Sequence, residues 1–166
     1  DNTIKRYAFF KNAYMSYKSN GLTLKFGIAG TYTMGLHDKF WGYRYISKPF
    51  LNKYKFGSTA DLGFFADYKI NDMLAIDLSV ANGEGYNKVQ LDNFFKTSLG
   101  ATFTSGGITF RGYYDFVNYA VTESTLAGFL GYNLKDKVKV AAEFGYRINE
   151  GATTDKNKMA YSGLFV

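Results

Sequence analysis

Residues 22–34 read LTLKFGIAGTYTM, and their alternation decides the fold. Leu22, Leu24, Phe26, Ile28, Gly30, Tyr32 and Met34 fall on one parity; Thr23, Lys25, Gly27, Ala29, Thr31 and Thr33 fall on the other. Successive side chains of a strand point to opposite faces, so such a segment is apolar on one side and small and polar on the other. The pattern recurs. Ala60, Leu62, Phe64, Ala66, Tyr68 and Ile70 oppose Thr59, Asp61, Gly63, Phe65, Asp67 and Lys69. Leu74, Ile76, Leu78 and Val80 oppose Ala75, Asp77, Ser79 and Ala81. Val138, Val140, Ala142, Phe144, Tyr146 and Ile148 oppose Lys139, Ala141, Glu143, Gly145, Arg147 and Asn149.

Nine such segments, each of roughly ten residues, run along the chain, the first near 9–18. Their connections alternate short and long: 19–20, 35–56, 71–72, 82–93, 105–107, 119–124, 135–137 and 150–158. Antiparallel hairpins with tight turns at one end and long loops at the other are the signature of a transmembrane β-barrel. In lipid every backbone polar group must be paired, which only helices and closed barrels achieve.

Composition agrees with an all-β chain. The 166 residues include 16 Phe, 15 Tyr, 18 Gly, one Pro (Pro49) and no Cys. Disulfides, thiolate metal sites and thiol nucleophiles are excluded. No apolar run approaches the roughly 20 residues of a transmembrane helix. The slightly negative mean hydropathy is compatible with strands that alternate apolar and polar residues. A lipocalin-like barrel or a sandwich would turn the apolar face inward, whereas a membrane barrel turns it outward. The polar faces are rich in Gly, Ala, Ser and Thr with scattered charges, which suits a wet, restricted lumen; a water-exposed surface carries more Lys and Glu. Tyr17, Tyr32, Tyr68, Tyr132 and Tyr146 lie near segment ends, where interfacial aromatic girdles sit.

Direction adds an expectation. The first segment ends at a short turn, so it runs toward the periplasm and begins outside. Nine is odd, whereas single-chain bacterial barrels have even strand counts. Both features predict a fragment of a larger, porin-size barrel, with strands missing before Asp1 and the last strand, 161–166, cut short. The alternative is an eight-stranded barrel whose first segment does not cross the membrane.

Charge carries the site expectations. The net charge is +6. The loop 35–56 holds Lys39, Arg44, Lys48, Lys53 and Lys55 against one acid, Asp38, together with Trp41, Tyr43, Tyr45 and Phe50. Folded into a barrel, that basic and aromatic surface would narrow the path and favour anions. Left in solvent, it would touch acidic lipopolysaccharide. The lumen is expected to hold Lys18, Lys25, Lys69, Lys96, Arg111, Lys139 and Arg147 facing Asp61, Asp67, Asp77, Asp115 and Glu143. That near balance fits cross-strand pairs better than strong selectivity.

Catalytic and cofactor equipment is not visible. His37 is the sole histidine, placed in a loop, and cannot build a metal cluster or triad alone. Asp61 and Asp67 share a face about 20 Å apart, too far for acid–base partnership. Gly83-Glu84-Gly85 precedes no helical pattern and is not a phosphate loop. The expectation is no enzyme, no cofactor and no metal. Basic residues interleaved with aromatics also describe a single-strand nucleic-acid surface, but here they sit on a loop and not on one sheet face, so nucleic acid is not expected.

Residues 10–26, FKNAYMSYKSNGLTLKF, resemble a strand–turn–strand of the phosphate-selective porin family, also called the porin O and P family. KFWGYRY at 39–45, KFGSTADLG at 55–63 and ANGEGY at 81–86 resemble further blocks of it, and the resemblance spans 7–146. It implies a Gram-negative outer-membrane barrel of about sixteen to eighteen strands, commonly trimeric, passing small solutes. This chain has about half the expected length, and the family's arginine constriction and lysine ladder do not map onto it residue by residue. The reading is a porin for passive diffusion of small hydrophilic solutes, with an anion bias. The alternative is a small eight-stranded outer-membrane barrel with a structural or adhesion role; a soluble ligand-binding barrel comes third.

Overall fold

The structure, a computed structural model, describes residues 10–48, 50–134 and 137–165. The expectations for Asp1 and Phe9 at one end and Val166 at the other lie outside the described residues. The chain is mostly β. Its strands are β1 (Ala13–Ser19), β2 (Leu22–Gly30), β3 (Ala60–Lys69), β4 (Leu74–Ala81), β5 (Lys96–Ser105), β6 (Ile108–Asn118), β7 (Thr122–Leu134), β8 (Val138–Ile148) and β9 (Lys158–Phe165). They form one antiparallel sheet in chain order, β1 to β9. All nine expected segments are therefore strands. The sheet is an open meander: β1 and β9 are its two edges and do not pair with each other, so the expected closed barrel is not formed by the described residues.

Turn chemistry sets the register. Ser19 pairs with Leu22, leaving Asn20 and Gly21 as a two-residue hairpin loop. Both have positive φ (44° and 82°), as a type I′ turn requires, and Asn-Gly is the sequence that tolerates it. In the β3–β4 turn, the Asn71 side-chain oxygen accepts from the backbone N–H groups of Met73 and Leu74, both at 2.8 Å. The alternation of connection lengths is less strict than expected. The β6–β7 connection is only 119–121, because β6 and β7 extend their pairing to Asn118 and Thr122.

The largest departure is in the quoted stretch. β2 ends at Gly30, and Tyr32–Trp41 form a helix, α1. A one-turn helix, α2, follows at Phe50–Lys53. Tyr32 and Met34 continue the parity of β2 only by coincidence. Thr33, Met34 and His37 are the residues of α1 that are buried, a spacing of three and four that belongs to a helix. The strand stops because Thr31 turns to close a neck. Its N–H donates to the Thr59 carbonyl at 3.1 Å and its hydroxyl to the Ser58 carbonyl at 2.8 Å. Gly42, at φ 74°, then ends α1, its N–H donating to the Asp38 carbonyl.

Apolar and polar side chains are segregated between the two faces of the sheet. On one face Phe26, Leu62, Phe64, Ile76, Leu78, Leu99, Phe103, Phe110, Leu126, Leu130, Val140 and Phe144 are exposed; Leu99 is 57% exposed. On the other, Asp61, Asp77, Ser79, Ser98, Arg111, Asp115, Thr125 and Arg147 are buried, because the segment 31–59 packs over them. Its apolar seat joins Met34, Phe50, Leu51 and Phe56 to Ala127, with Tyr113 and Ala160 alongside. A second cluster joins Ala29, Phe65 and Ala81, with Tyr32 against it. Burying a Phe, Leu or Met side chain contributes about 1.5–3 kcal/mol, so these residues are a large part of what holds the segment down. No helix among the described residues is long and apolar enough to cross a membrane.

Candidate functional site: the inner loop and its wall

Polar contacts join the segment 31–59 to the wall through residues expected to face a lumen: Arg111, Arg147, Glu143 and, through the Tyr32 hydroxyl, Asp67. Arg111 on β6 is the first. Its Nε and Nη2 donate to the Thr33 hydroxyl at 3.1 and 2.8 Å. Its Nη1 and Nη2 also bind Asp77 of β4 bidentately, at 2.6 and 2.9 Å, and Nη1 reaches Thr102 at 2.7 Å. The planar guanidinium suits this arrangement, since it serves a carboxylate fork and two hydroxyls together. Arg147 on β8 is the second. It donates to the carbonyls of Lys55, at 3.2 Å, and Phe56, and to the Thr125 hydroxyl at 3.1 Å. Glu123 sits 3.6 Å from its Nε, and its guanidinium carbon lies 5.6 Å from the centre of the Phe56 ring. Glu143 on β8 is the third: its Oε1 lies 3.3 Å from His37 Nδ1.

Glycines make the close approach possible. A Cβ at Gly131 of β7 would stand 2.6 Å from the Phe40 ring. One at Gly145 of β8 would meet Phe56 at 3.1 Å and Leu51 at 3.2 Å. At Gly100 of β5 it would run into the Arg111 guanidinium and stand 2.8 Å from Asp77. The wall is therefore shaped to the loop at Gly131 and Gly145, and to the Arg111 guanidinium at Gly100.

The remaining expected lumen residues divide into pairs and solvated groups. Asp61 accepts from the N–H groups of Leu62 and Gly83, both at 2.8 Å, fixing the start of the 82–95 connection. Asp67 and Asp77 stand opposite each other in register, a repulsive arrangement if left alone. Arg111 binds Asp77, and the Tyr32 hydroxyl donates to Asp67 at 3.4 Å. Burial, and then Asp67, push the Tyr32 hydroxyl well above the ordinary tyrosine range. Asp115 accepts from the Tyr113 hydroxyl at 2.7 Å and lies 3.8 Å from Lys96. Lys25 places its ammonium 5.0 Å from the centre of the Tyr32 ring and 5.6 Å from that of Tyr14. Lys18 is exposed, and Lys69 is an exposed turn residue paired with Asp72 at 2.7 Å. Lys139 is half-buried beside Lys39, Leu36 and Phe40.

The five loop cations do not act alike. Arg44 is bound to Asp38, with Nη1 2.7 Å from Oδ2, and its Nη2 reaches Asn52 at 3.3 Å. Lys39, Lys48, Lys53 and Lys55 are exposed. They are not gathered at one mouth. The neck lies where β2 and β3 meet the long connections, but Phe40 packs beside Gly131, which pairs with Thr109 near the tight Gly106-Gly107 turn. Lys39 is thus carried toward the opposite end. Phe40 needs a dry seat, and Gly131 leaves the slot for it.

Under α1 lies a polar cavity of about 40 Å³, lined by Tyr32, Thr33, Asp61, Asp77, Lys96 and Tyr113 among others, with room for water. No group of three or more metal-binding side chains occurs among the described residues. Sequence reading missed His37 and Thr33 as wall contacts, because the helix was read as strand and loop. The signal available was the i, i+3, i+4 spacing of Thr33, His37 and Phe40 with Met34 and Trp41. No family model, curated protein or solved structure matches this chain.

Proposed function

We propose that this chain is wall and inner loop of an outer-membrane diffusion pore, of the kind the phosphate-selective porin resemblance implies. One observation carries the reading. The sheet exposes its large apolar side chains on one face and buries charged ones on the other, beneath an inserted loop. An apolar face of this extent is stable against lipid and costly against water. Closure would come from pairing at both sheet edges, since an unpaired edge is not tolerated in hydrocarbon. The setting is a Gram-negative outer membrane, with lipid and lipopolysaccharide as neighbours and a homotrimer as the assembly the resemblance implies.

The mechanism is geometric and electrostatic. Small hydrophilic solutes cross between wall and loop; no bond is made or broken. Arg111, Arg147 and Glu143 are spent on fixing the loop, so they contribute little to ion preference. The anion bias falls to Lys39, Lys48, Lys53 and Lys55, whose charges are exposed along the loop. Reconstitution in planar bilayers tests this. Ohmic steps, larger after residues 35–56 are replaced by a short Gly-Ser linker, support a pore narrowed by the loop. Silence in both forms refutes it.

A second reading has its own support. Apolar and polar contacts pack the loop tightly on the wall, and the cavity beneath α1 is small. A filled interior of this kind suits a non-conducting barrel with a structural or adhesion role. Silence of the native protein that persists in the linker variant favours it.

A further inference from the structure

We propose that His37 and Glu143 form a pH-sensitive latch that holds α1 on the wall more tightly as pH falls and releases it as pH rises. This rests on the reading of the loop as the element that narrows the path, and it names how that element is regulated.

His37 is 2% exposed, and its ring lies 4.8 Å from that of Phe129 on β7. Its Nδ1 approaches Glu143 Oε1 to 3.3 Å yet lacks hydrogen-bond geometry, so Nδ1 is a buried polar atom without a partner. Such an atom is costly while the ring is neutral. When the ring gains its proton, the same atom becomes a cation beside a carboxylate in a poorly solvated site, and attraction replaces the deficit.

The other polar contacts are of a different kind. Arg111 and Arg147 hold the loop through guanidinium groups, and Tyr32 through a phenol donating to Asp67 at 3.4 Å. Among these contacts His37–Glu143 is the one that uses an imidazole, the side-chain type suited to a switch near neutral pH. The surrounding charges leave this pair distinct. On α1, Asp38 is bound to Arg44 and Lys39 is exposed. On β6, Arg111 is bound to Asp77, and β7 presents the uncharged Phe129. On β8, Lys139 lies four residues from Glu143. Lys53 of α2 and Lys48 line the cavity that Glu143 also lines, so they compete with His37 for the carboxylate and limit the latch's strength.

The sign is acid-tightening. The pair is attractive while the imidazole carries its proton and Glu143 is ionised, and that contribution is lost when the imidazole gives its proton up.

The test uses the protein in detergent micelles from pH 5.5 to 8. Amide hydrogen exchange of residues 33–41, corrected for the intrinsic pH dependence, reports opening of α1. The ring resonance of the sole histidine reports its protonation. Opening should increase at least about fivefold as the ring deprotonates, on the scale of an ordinary coupling between sites. That dependence should vanish in His37→Gln and in Glu143→Gln. A ring that does not titrate, protection that stays flat across its titration, or an undiminished dependence in His37→Gln overturns the latch. The ring and exchange data on the native protein need no variant to fold. If exchange follows the ring while bilayers stay silent, the latch stands and the pore reading falls. If bilayers conduct while exchange stays flat, the latch alone falls.

Discussion

Arg111 and Thr33 lie 78 positions apart in the chain, yet two nitrogens of the guanidinium donate to one hydroxyl, at 3.1 and 2.8 Å. The same group clamps Asp77. A wall charge thereby becomes a fastener for the loop. Arg111→Ala should leave Asp77 buried without its counter-charge and cost about 3–5 kcal/mol. Thr33→Val removes only a neutral partner and should cost about 1 kcal/mol. Denaturant unfolding in micelles measures both, and equal costs would contradict the assignment. Arg111→Lys should fall nearer to Ala than to the native protein, because an ammonium cannot reproduce the fork.

The glycine seats make a steric prediction. Gly131→Val should force Phe40 from its slot and loosen α1, at a cost of about 1–3 kcal/mol. Gly112 of β6 has no neighbour within 4 Å of a built Cβ, so Gly112→Val is the control and should leave the loop in place. Limited proteolysis between residues 31 and 59 distinguishes them: faster cleavage in the Gly131 variant alone is expected.

Ion preference should follow the exposed lysines. Replacing Lys39, Lys48, Lys53 and Lys55 together by Glu should reverse the sign of the reversal potential in a salt gradient. Arg44→Glu should act differently. It removes the partner of Asp38 and adds a like charge beside it, so it should loosen the loop as well as shift selectivity. An unchanged reversal potential in the fourfold variant would detach the loop from selectivity.

Acid should loosen the β8–β9 connection. Glu150 binds Lys158 at 3.0 Å, and that hydrogen bond holds its carboxyl below the usual glutamate range. A depressed carboxylate contributes stability above its unfolded value, and that contribution is lost as pH falls through the folded value. Exchange of the Glu150 amide, which donates to the Lys156 carbonyl at 2.7 Å, should therefore speed up at pH 3 relative to pH 6 after intrinsic correction. Glu150→Gln should show no such acceleration.

How much could be read beforehand differs by element. Parity placed Asp77, Arg111, Asp115 and Arg147 on one face and Leu62, Leu78 and Phe144 on the other, and the structure agrees at each. The first tight turn was legible, but the expected loop 19–20 is shifted by one residue to Asn20-Gly21, because Ser19 pairs with Leu22. The start of α1 was not legible. Thr31-Tyr32-Thr33-Met34 satisfies a strand and a helix equally well over four residues, and the neck bonds to Ser58 and Thr59 decide between them from 27 and more positions away.

The sequence by itself determined nine strands and their alternation of faces, with the sites of the connections to within a few residues, because a period of two is a local property. Only the tertiary structure decided that the sheet stays open, that the basic segment folds over the polar face, and that Arg111, Arg147 and Glu143 fasten it. Those outcomes depend on register. Register brings Asp77 opposite Gly100, two positions along β5 from Arg111's partner Thr102, and leaves Gly131 and Gly145 empty where Phe40 and Phe56 arrive. Contacts between residues so far apart in the chain arise from shape and charge in three dimensions, which no local period encodes.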